Sequence, residues 1–523
     1  MCDVAIHLTN CFRWHANIRK LFVKNSRQTS TICNKHSPKI CKICNKHSPK
    51  ICKICNKYSP KICKLLTKSS NLSRLRNEIG VNLMLKRKLY QKLLDWKQTK
   101  NCECLLIKGA RQVGKTFLVR EFGRTEYEYF VELNLLKNPE YKEIFDGNLS
   151  AEEIYKKLTL FVPGVKLVEG NTLIFIDEIQ KCPKARTALK FLAEDNRFDI
   201  IASGSLLGLH YGKLDDKDEE EAFSIPVGYE NQMIMYSLDF EEFLWAYGFD
   251  STVIDTLKVL FVNREYIPEA INEKYQSILR EYIVVGGMPE VVNSFVTCHD
   301  FEKVHKIQKK ILASYDDDII NYAKGIEKIK VKACYDTLPS QLAKENKKFK
   351  YSEIEKKATA RKYGDSIEWL KDANLICVCH NTFEPYLPLI ANEKSNEFKA
   401  YVNDTGLLMA RYGRETKLAL LSKKLKGNAK GGIYENLISE ILVKNGYELH
   451  YYKKNDSQME IEFLIEKDGA VVPVEVKAGN TSTASLNSYI KDFNPPIAYK
   501  IADSNIGITE NKITIPHYLA MFI

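Results

Sequence analysis

The sequence lacks any long hydrophobic run, although 45% of its 523 residues are apolar. No stretch of about 18 uncharged apolar residues occurs, which excludes a membrane-spanning helix of ordinary length. The N-terminus also lacks the apolar segment and small-residue cleavage site of a secretory signal peptide. We therefore expect a cytoplasmic protein with no membrane partner, built from roughly three or four domains of about 150 residues each.

The body of the chain also lacks an excess of positive charge. Residues 1–83 hold 17 Lys and Arg against 2 Asp and Glu, a balance of +15, whereas the remaining 61 basic and 64 acidic residues give −3. The net charge of +12 therefore comes from one end of the chain. Nucleic-acid binding by the remainder would need local basic patches rather than a generally basic surface.

Cysteines are sparse after residue 83, where seven of the 15 are scattered along the chain. This distribution indicates reduced thiols in a cytosolic protein rather than a disulfide framework. The other eight lie in an extension that contains a repeat, because residues 32–39 recur at 43–50 and, with one change, at 54–61. The repeat creates two C-x₂-C pairs that could hold one zinc ion, namely Cys41 with Cys44 and Cys52 with Cys55.

Zinc binding by these pairs has a simpler alternative. Only seven residues separate the pairs, no apolar pattern surrounds them, and duplication of DNA produces such repeats without selection on the product. We favour an extension at 1–83 that is disordered or not native. Met84 then looks like the natural start of the folded protein, because an amphipathic helical pattern begins there.

A phosphate-binding pattern follows a short apolar strand at 105–107. Its glycines let the backbone curl around an anion, and a helix predicted at 117–122 adds its positive N-terminus. In such a loop the lysine reaches the β- and γ-phosphates, and the hydroxyl after it contacts Mg²⁺. The nucleotide-binding residues predicted by this pattern are Gly109, Ala110, Arg111, Gln112, Val113, Gly114, Lys115 and Thr116.

Two further apolar strands end in polar residues that suit the same chemistry. The run at 172–176 is followed by Asp177, a predicted Mg²⁺ ligand together with Thr116, and by Glu178, which can polarise the attacking water. The run at 199–202 is followed by Ser203 and Ser205, of which Ser203 is the candidate for sensing the γ-phosphate. Plain turns would also explain these polar ends.

The middle of the chain is predicted to be helical and then to form a winged helix. Residues 251–330 show helical patterns that break at Gly286-Gly287-Met288-Pro289, and 331–415 show three helical segments followed by two strands. A winged helix contacts DNA when one of its helices enters the major groove, and it serves elsewhere only as packing between domains. The residues that could touch phosphates are Lys356, Lys357, Arg361 and Lys362.

The last hundred residues carry a second group of charged residues. In the run at 472–477, alternation places Glu475 and Lys477 on one face of a strand. Glu462 on a neighbouring predicted strand and Glu435 on a predicted helix complete an oxygen-rich set with a lysine beside it. Such a set can hold Mg²⁺, here through Glu462 and Glu475, and activate water for phosphodiester cleavage. An exposed strand with alternating charges gives the same pattern.

Taken together, these motifs resemble prokaryotic AAA+-like P-loop ATPases that carry a C-terminal PD-(D/E)xK nuclease-like domain. The resemblance covers residues 84–523 and rests on these segments: the loop at 108–116, Phe175–Gln180, 202–205, 286–290, 401–408, 432–436 and 474–479. It implies an α/β fold with a P-loop parallel sheet at 84–250. It further implies three regions after the sheet: a helical lid at 251–330, a winged helix at 331–415 and a restriction-endonuclease-like α/β domain at 425–523.

The resemblance also implies chemistry at particular residues. ATP would bind the loop at 109–116, with Lys115, Asp177 and Glu178 serving hydrolysis. The nuclease-like site would be formed by Glu435, Glu462, Glu475 and Lys477. The family usually has Asp where this chain has Glu462, so the longer side chain puts DNA cleavage in question. No arginine finger is singled out among Arg111, Arg186 and Arg280.

The sequence leaves three functions open. The first is a Mg²⁺-dependent ATPase that couples nucleotide state to a DNA-directed C-terminal module, as a monomer or a homo-oligomer. The second is a metal-dependent DNA nuclease. The third is a nucleotide-gated switch or scaffold with an inactive nuclease-like domain, which binds ATP and turns it over negligibly.

Overall fold

The computed structural model describes residues 85–99, 103–205, 228–323, 327–454, 459–479, 481 and 483–523. The chain divides into two units, Met1–Met84 and Leu85–Ile523, and every described residue belongs to the second. The extension at 1–83 with its cysteine pairs therefore lies outside the described residues. Among the helices described, none combines the length and apolar character needed to cross a membrane.

The first part of the chain forms a parallel sheet flanked by helices. Its elements are α1 (Lys88–Thr99), β1 (Cys104–Gly109), α2 (Lys115–Glu126), β2 (Tyr129–Asn134), α3 (Ala151–Phe161), β3 (Thr172–Asp177), α4 (Pro183–Asp195), β4 (Asp199–Ser205) and β5 (Glu230–Ile234). The strands lie in the order β2-β3-β4-β1-β5, and every pairing is parallel. We call this the first sheet. It confirms the predicted α/β fold of the P-loop type in this region.

The three central strands of the first sheet, β3, β4 and β1, are buried on both faces, which explains their nearly continuous apolar sequences. All six residues of β1 and all six of β3 are buried. Since the strands are parallel, their carboxyl ends share one edge of the sheet. At that edge the register places Asn134 beside Asp177, and Asp177 beside Ser203. Three polar residues that are distant in sequence therefore lie side by side.

Seven helices follow the first sheet within the described residues. They are α5 (Phe240–Tyr247), α6 (Ser251–Asn263), α7 (Glu269–Val285), α8 (Pro289–Cys298), α9 (Phe301–Tyr322), α10 (Glu327–Leu342) and α11 (Ala360–Asp372). The turn between α7 and α8 requires glycine twice. Gly286 has a φ of +75°, and a Cβ on Gly287 would lie 2.0 Å from the carbonyl oxygen of Leu238.

The rest of the chain forms a mixed sheet with helices packed on it. Its elements are β6 (Ile376–Thr382), β7 (Glu393–Val402), α12 (Thr405–Tyr412), α13 (Arg414–Leu421), α14 (Asn428–Lys444), β8 (His450–Lys453), β9 (Glu460–Lys467), β10 (Ala470–Val476), α15 (Ala484–Phe493), β11 (Ala498–Ala502), β12 (Gly507–Thr509) and β13 (Lys512–Pro516). The eight strands lie in the order β12-β13-β11-β10-β9-β8-β6-β7, and we call them the second sheet.

The second sheet crosses the boundary predicted between residues 415 and 425. The β6–β7 hairpin, predicted as the wing of a separate winged helix, pairs through β6 with β8 in parallel. The hairpin is therefore the edge of the C-terminal sheet, while α10 and α11 pack beside it. The sequence located the hairpin but gave no sign that its strands continue into the next predicted domain.

The two sheets are joined by a buried polar network as well as by a shared hydrophobic core. The core cluster runs from Leu89 through the helical region to Ile523. Within the network, Lys444 of α14 pairs with Glu440 at 2.6 Å and donates to the carbonyl oxygen of Leu238 at 3.0 Å. The Tyr282 hydroxyl lies 2.8 Å from the same carbonyl oxygen and 2.8 Å from the Glu440 carboxylate, and its proton can be donated to either. Helix α14 is thus fixed to the chain that leaves the first sheet.

Candidate nucleotide site and carboxylate cluster

The loop between β1 and α2 has the backbone that the phosphate-binding pattern predicts. Gln112 and Gly114 adopt positive φ angles of 65° and 99°, which curl the loop before α2 begins at Lys115. Gly109 leaves no space for a side chain, because a Cβ there would lie 2.3 Å from the carbonyl oxygen of Met235. The loop can therefore present its backbone N–H groups and the N-terminus of α2 to an anion.

Lys115 is folded back onto this loop. Its Nζ donates to the carbonyl oxygens of Gly109 at 2.9 Å and Ala110 at 2.8 Å. Burial lowers the pKa of Lys115 to about 8, although Glu178 and Asp177 act to raise it. The ammonium group therefore lies in the loop with two uncharged carbonyl partners, which phosphate oxygens could replace.

Asp177 lies at the centre of the polar edge of the first sheet. Its carboxylate accepts hydrogen bonds from Thr116 at 3.0 and 3.1 Å, Asn134 at 2.8 Å and Ser203 at 2.5 Å. Burial raises the pKa of Asp177, while the hydrogen bond from Ser203 opposes the rise. A buried carboxylate supported by three uncharged donors, with a threonine hydroxyl in contact, fits the oxygen ligands that Mg²⁺ prefers.

Glu178 is held in an uncommon backbone conformation beside Asp177. Its φ of 60° and ψ of 43° place it in the left-handed region, where a glutamate is rare. Gln180 donates to its carboxylate at 2.6 Å and to the hydroxyl of Ser205 at 3.4 Å. Strained residues of this kind are common at functional sites. Gln180 thus links Glu178 to Ser205, the second serine singled out in the sequence.

Arg87 supports the loop from the residues before the first sheet. Its guanidinium donates to the carbonyl oxygens of Val113 at 2.8 Å and Tyr236 at 2.6 Å, and it pairs with Glu242 at 3.1 Å. Glu242 also caps α5 in a capping box with Asp239. One buried arginine therefore connects the phosphate-binding loop, the end of β5 and the helix that follows.

Two of the three arginines considered as fingers are paired within the chain. Arg111 contacts Asp318 of α9 at 2.6 Å, and Arg186 contacts Glu230 of β5 at 3.0 Å. The Arg186 side chain is only 16% exposed, so this pair ties α4 to β5. Arg280 lies on α7 and is half-buried.

The charged residues predicted near the C-terminus also lie together. Lys477 pairs with Glu475 at 2.8 Å and with Glu462 at 3.1 Å. Glu435 on α14 belongs to the same cluster, because it and Glu475 both raise the pKa of Glu462. Burial is the largest cause of that rise, to about 7, and Lys477 opposes it. The sequence therefore grouped four residues that the structure brings together.

Three more lysines complete this carboxylate cluster. Lys399 of β7 is almost fully buried and contacts Glu460 at 2.7 Å and Glu435 at 3.9 Å. Lys347 contacts Glu435 at 2.7 Å, and Lys453 contacts Glu460 at 3.1 Å. Burial opposes the charge of Lys399, yet Glu460 and Glu435 raise its pKa above the ordinary value. Four carboxylates thus face four ammonium groups.

As it stands, the carboxylate cluster does not fit a divalent cation. Seven of its eight carboxylate oxygens receive a hydrogen bond or an ion pair, and only Oε2 of Glu475 lacks a partner. Mg²⁺ takes about six oxygen ligands, and its charge would be repelled by the lysines. Throughout the described ranges, no group of three or more His, Cys, Asp or Glu side chains is arranged to hold a metal.

The basic residues predicted to touch DNA lie on the surface before and within α11. Lys356, Lys357, Arg361 and Lys362 are all exposed. Lys362 forms an ion pair with Glu355, which reduces the positive charge that this surface can offer. Residues 215–221 are all charged, a composition that predicts a solvated surface loop, and they lie outside the described residues.

Family models match three successive parts of the chain. Residues 101–244, which contain the phosphate-binding loop and Asp177, match a model described as an AAA domain. We call this segment the AAA domain after the model that it matches. Two models described as domains of unknown function, DUF8612 and DUF4143, match residues 276–418 and 430–517. No curated protein matches the chain.

Solved structures with some likeness to the chain include several ATPases. A Walker-type ATPase of Pyrococcus abyssi is 15% identical with a TM-score of 0.37, covering 63% of this chain and 96% of that one. The RuvB Holliday junction branch migration motor of Thermotoga maritima is 11% identical with a TM-score of 0.24, covering 56% and 89%. DnaA of Aquifex aeolicus bound to AMPPCP is 13% identical with a TM-score of 0.25, covering 56% and 90%. Likeness at this level assigns no function.

Several residues around the AAA domain's loop were not anticipated from the sequence. Asn134 ends β2 as Asp177 ends β3, and Gln180 comes three residues after β3, so polar residues at the ends of these strands were a usable signal. Arg87 and Asp318 contact the loop from 26 or more residues away and carry no local pattern. Lys399 stands on a strand assigned to another predicted domain, which hid its place in the carboxylate cluster.

Proposed function

We propose that this protein is a Mg²⁺-dependent ATPase whose nucleotide state controls a DNA-directed C-terminal half. The observation that carries the proposal is the buried Asp177 carboxylate, which contacts the hydroxyl of Thr116 beside Lys115. This arrangement provides a cation-binding carboxylate, a hydroxyl ligand and an ammonium group around one loop. The match of residues 101–244 to an AAA domain supports the same conclusion.

Each residue of the loop has a definite role in this proposal. The backbone N–H groups of 110–114 hold the β-phosphate, and Lys115 exchanges its two carbonyl partners for oxygens of the β- and γ-phosphates. Thr116 and Asp177 would hold Mg²⁺, which neutralises charge on the phosphates when it is bound. Glu178 accepts a proton from the attacking water. Ser203, which already contacts Asp177, responds to the presence of the γ-phosphate.

Replacing Lys115 tests the ATPase. Lys115→Ala should reduce ATP turnover at least a hundredfold, since the variant loses the ammonium group that stabilises the transferring phosphoryl group. Lys137→Ala is a matched control, because Lys137 is an exposed lysine elsewhere in the AAA domain. Phosphate release is the measurement. Equal rates in the two variants would refute the proposal.

Replacing Glu178 separates binding from turnover. Glu178→Gln keeps the size of the side chain and removes its ability to accept a proton, so ATP should still bind while turnover falls by about a hundredfold or more. Titration of a fluorescent ATP analogue measures the first quantity and phosphate release the second. If the variant instead bound ATP weakly but hydrolysed each bound ATP at the wild-type rate, Glu178 would serve in binding rather than in hydrolysis.

A second candidate is a nucleotide-gated switch or scaffold with an inactive nuclease-like domain. It is favoured by the carboxylate cluster, in which lysines occupy the surroundings of Glu435, Glu462 and Glu475. Nicking of supercoiled plasmid with Mg²⁺ or Mn²⁺ distinguishes the two interpretations of this domain. The switch predicts no nicking, whereas nicking that disappears in Lys477→Ala would identify a nuclease.

The DNA-directed part of the proposal rests on the exposed basic residues around α11. The ATPase rate should be compared without DNA and with duplex, single-stranded and structured DNA. A charge-reversal variant, Lys356→Glu with Lys357→Glu, should weaken DNA binding and reduce its salt dependence, because phosphate contacts release counterions. A matched pair of exposed lysines, Lys423 and Lys424, provides the control. DNA binding that is equal in both variants would exclude this surface.

A further inference from the structure

Helix α9 of the region that follows the AAA domain lies directly on the phosphate-binding loop. Tyr315 donates to the carbonyl oxygen of Arg111 at 3.3 Å, and Asp318, one turn later, contacts the Arg111 guanidinium at 2.6 Å. The Asp318 side chain is 3% exposed, whereas that of Arg111 is 37% exposed. A buried carboxylate from a separate helix is therefore attached to a residue of the loop itself.

The charges around Asp318 show what it would meet when nucleotide arrives. Arg111 and Lys115 attract it from the loop and from α2, while Glu178 at the end of β3 and Asp317 on its own helix repel it. Asp318 thus lies within the electric field of the lysine that the triphosphate must reach. Like charges in a poorly solvated site repel each other strongly. The Asp318 carboxylate would therefore oppose the binding of the negatively charged polyphosphate there.

We propose that Asp318 competes with the nucleotide's phosphates for Arg111 and repels them from the field of Lys115, so that ATP binds only as the end of α9 leaves the loop. This inference rests on the proposed ATPase function and deepens it. In the structure, Arg111 pairs with Asp318, and the ammonium group of Lys115 donates to the backbone carbonyls of Gly109 and Ala110. Binding exchanges both sets of partners for phosphate oxygens.

Helix α9 is also connected to the C-terminal half, which gives the competition a consequence beyond the loop. Gln308, buried on α9, donates to the carbonyl oxygens of Val284 at 3.0 Å and Val285 at 2.8 Å, just before the Gly286–Gly287 turn. Lys417 of α13 donates to the same Gln308 side chain. A shift of α9 away from the loop therefore acts on α7 and α13 together.

The test compares two neighbouring aspartates. Asp318→Asn removes the competing charge and keeps the side chain's size, so labelled ADP and ATP should bind about tenfold more tightly, a typical coupling between linked sites. Asp317→Asn is the matched control, since Asp317 is exposed on the same helix turn, and it should change affinity little. Asp318→Glu retains the charge and should keep the wild-type affinity or weaken it.

Unchanged or weaker binding by Asp318→Asn, with Lys115 still required, would overturn this inference and leave the ATPase proposal standing. Binding that does not depend on Lys115 would instead overturn the ATPase proposal. Circular dichroism of each variant checks that it is folded. The pH dependence of nucleotide affinity gives a second measurement.

Burial raises the pKa of Asp318 to about 6, against the attraction of Arg111. The carboxyl group therefore loses its charge as the pH falls through about 6, and the competition should lapse. The nucleotide affinity of the wild-type protein should therefore rise as the pH is lowered from 7.5 to 5.5. Over the same range, the ratio of the affinity of Asp318→Asn to that of the wild type should fall towards one. A ratio that stays constant over this range would contradict the proposed competition.

Discussion

Gly287 and Gly364 show how differently two glycines of this chain are placed. A Cβ on Gly287 would lie 2.0 Å from the carbonyl oxygen of Leu238, whereas one on Gly364 in α11 would meet nothing within 4 Å. Gly287→Ala should therefore lower the free energy of unfolding by about 3 kcal/mol or more, because backbone must move. Gly364→Ala should raise it by about 0.5–1 kcal/mol through helix propensity. Urea denaturation measures both, and equal effects would contradict this account.

The imidazole of His517 is buried, and its burial should make the free energy of unfolding depend on pH. Its Nε2 lies 2.9 Å from the carbonyl oxygen of Lys477, and its ring packs against Tyr434. Burial lowers the pKa of His517 to about 4, so the folded protein keeps the ring neutral where the unfolded chain, at about 6.5, protonates it.

The stability contributed by His517 is therefore complete above pH 6.5 and is lost as the pH falls towards 4. The loss should approach roughly 3 kcal/mol, from about 2.5 pKa units at 1.36 kcal/mol each. His517→Gln should show a flatter decline in the free energy of unfolding over this range, and His299→Gln, which replaces an exposed histidine, should follow wild type. Parallel curves for all three proteins would exclude the effect.

At the scale of residues, the sequence predicted the site residues that lie within one motif or beside one strand. It did not predict contacts between residues that are distant in sequence. Lys115 and Thr116 lie within one motif, and Asp177 directly follows an apolar strand, so local pattern was enough. Asp318 reaches Arg111 across 207 residues, a separation visible only once α9 lies on the loop. The same holds for Lys399, whose contact with Glu460 depends on the order of strands in the second sheet.

Among whole elements, the strands of the AAA domain were the most predictable. Apolar runs ended by polar residues identified β1, β3 and β4, because buried parallel strands need apolar side chains on both faces. The β6–β7 hairpin was also anticipated, although not its pairing with β8. Pairing between strands that are about 70 residues apart leaves no periodic signal in either strand.

The attachment of helix α14 to the AAA domain includes one buried ion pair. Lys444 is 4% exposed and Glu440 1%, and Lys444 also donates to Ser237 at 3.0 Å. Lys444→Met should lower the free energy of unfolding by about 3–5 kcal/mol, because it leaves Glu440 buried without its cation. Adding Glu440→Gln should restore part of this loss. Thermal or urea unfolding measures each change.

Lys424→Met provides the control for this prediction, since Lys424 is an exposed lysine a few residues before α14. Its effect should stay within about 0.5 kcal/mol. A double variant that is less stable than Lys444→Met alone would mean that Glu440 is held mainly by Tyr282 and Thr405 rather than by the lysine.

For the molecule as a whole, the shared hydrophobic core predicts joint unfolding. The cluster from Leu89 to Ile523 includes Trp96 beside the first sheet and Trp369 on α11. The sequence contains four tryptophans. Two variants, one with Trp96 and the other with Trp369 as its sole tryptophan, should therefore give the same guanidinium midpoint by fluorescence. Two separate midpoints would show that the AAA domain and the second sheet unfold independently, as many multidomain proteins do.

The strand order of the second sheet has a consequence for synthesis on the ribosome. The β6–β7 hairpin ends at Val402, but the strand that pairs with β6, β8, begins only at His450. At about 5–20 residues per second, translation leaves that edge of β6 without its neighbour for several seconds. During this interval the free edge of β6 exposes backbone N–H and C=O groups, to which a chaperone or a second nascent chain could bind. The slowest and most error-prone step of maturation should therefore lie in the second sheet, after the first has already formed.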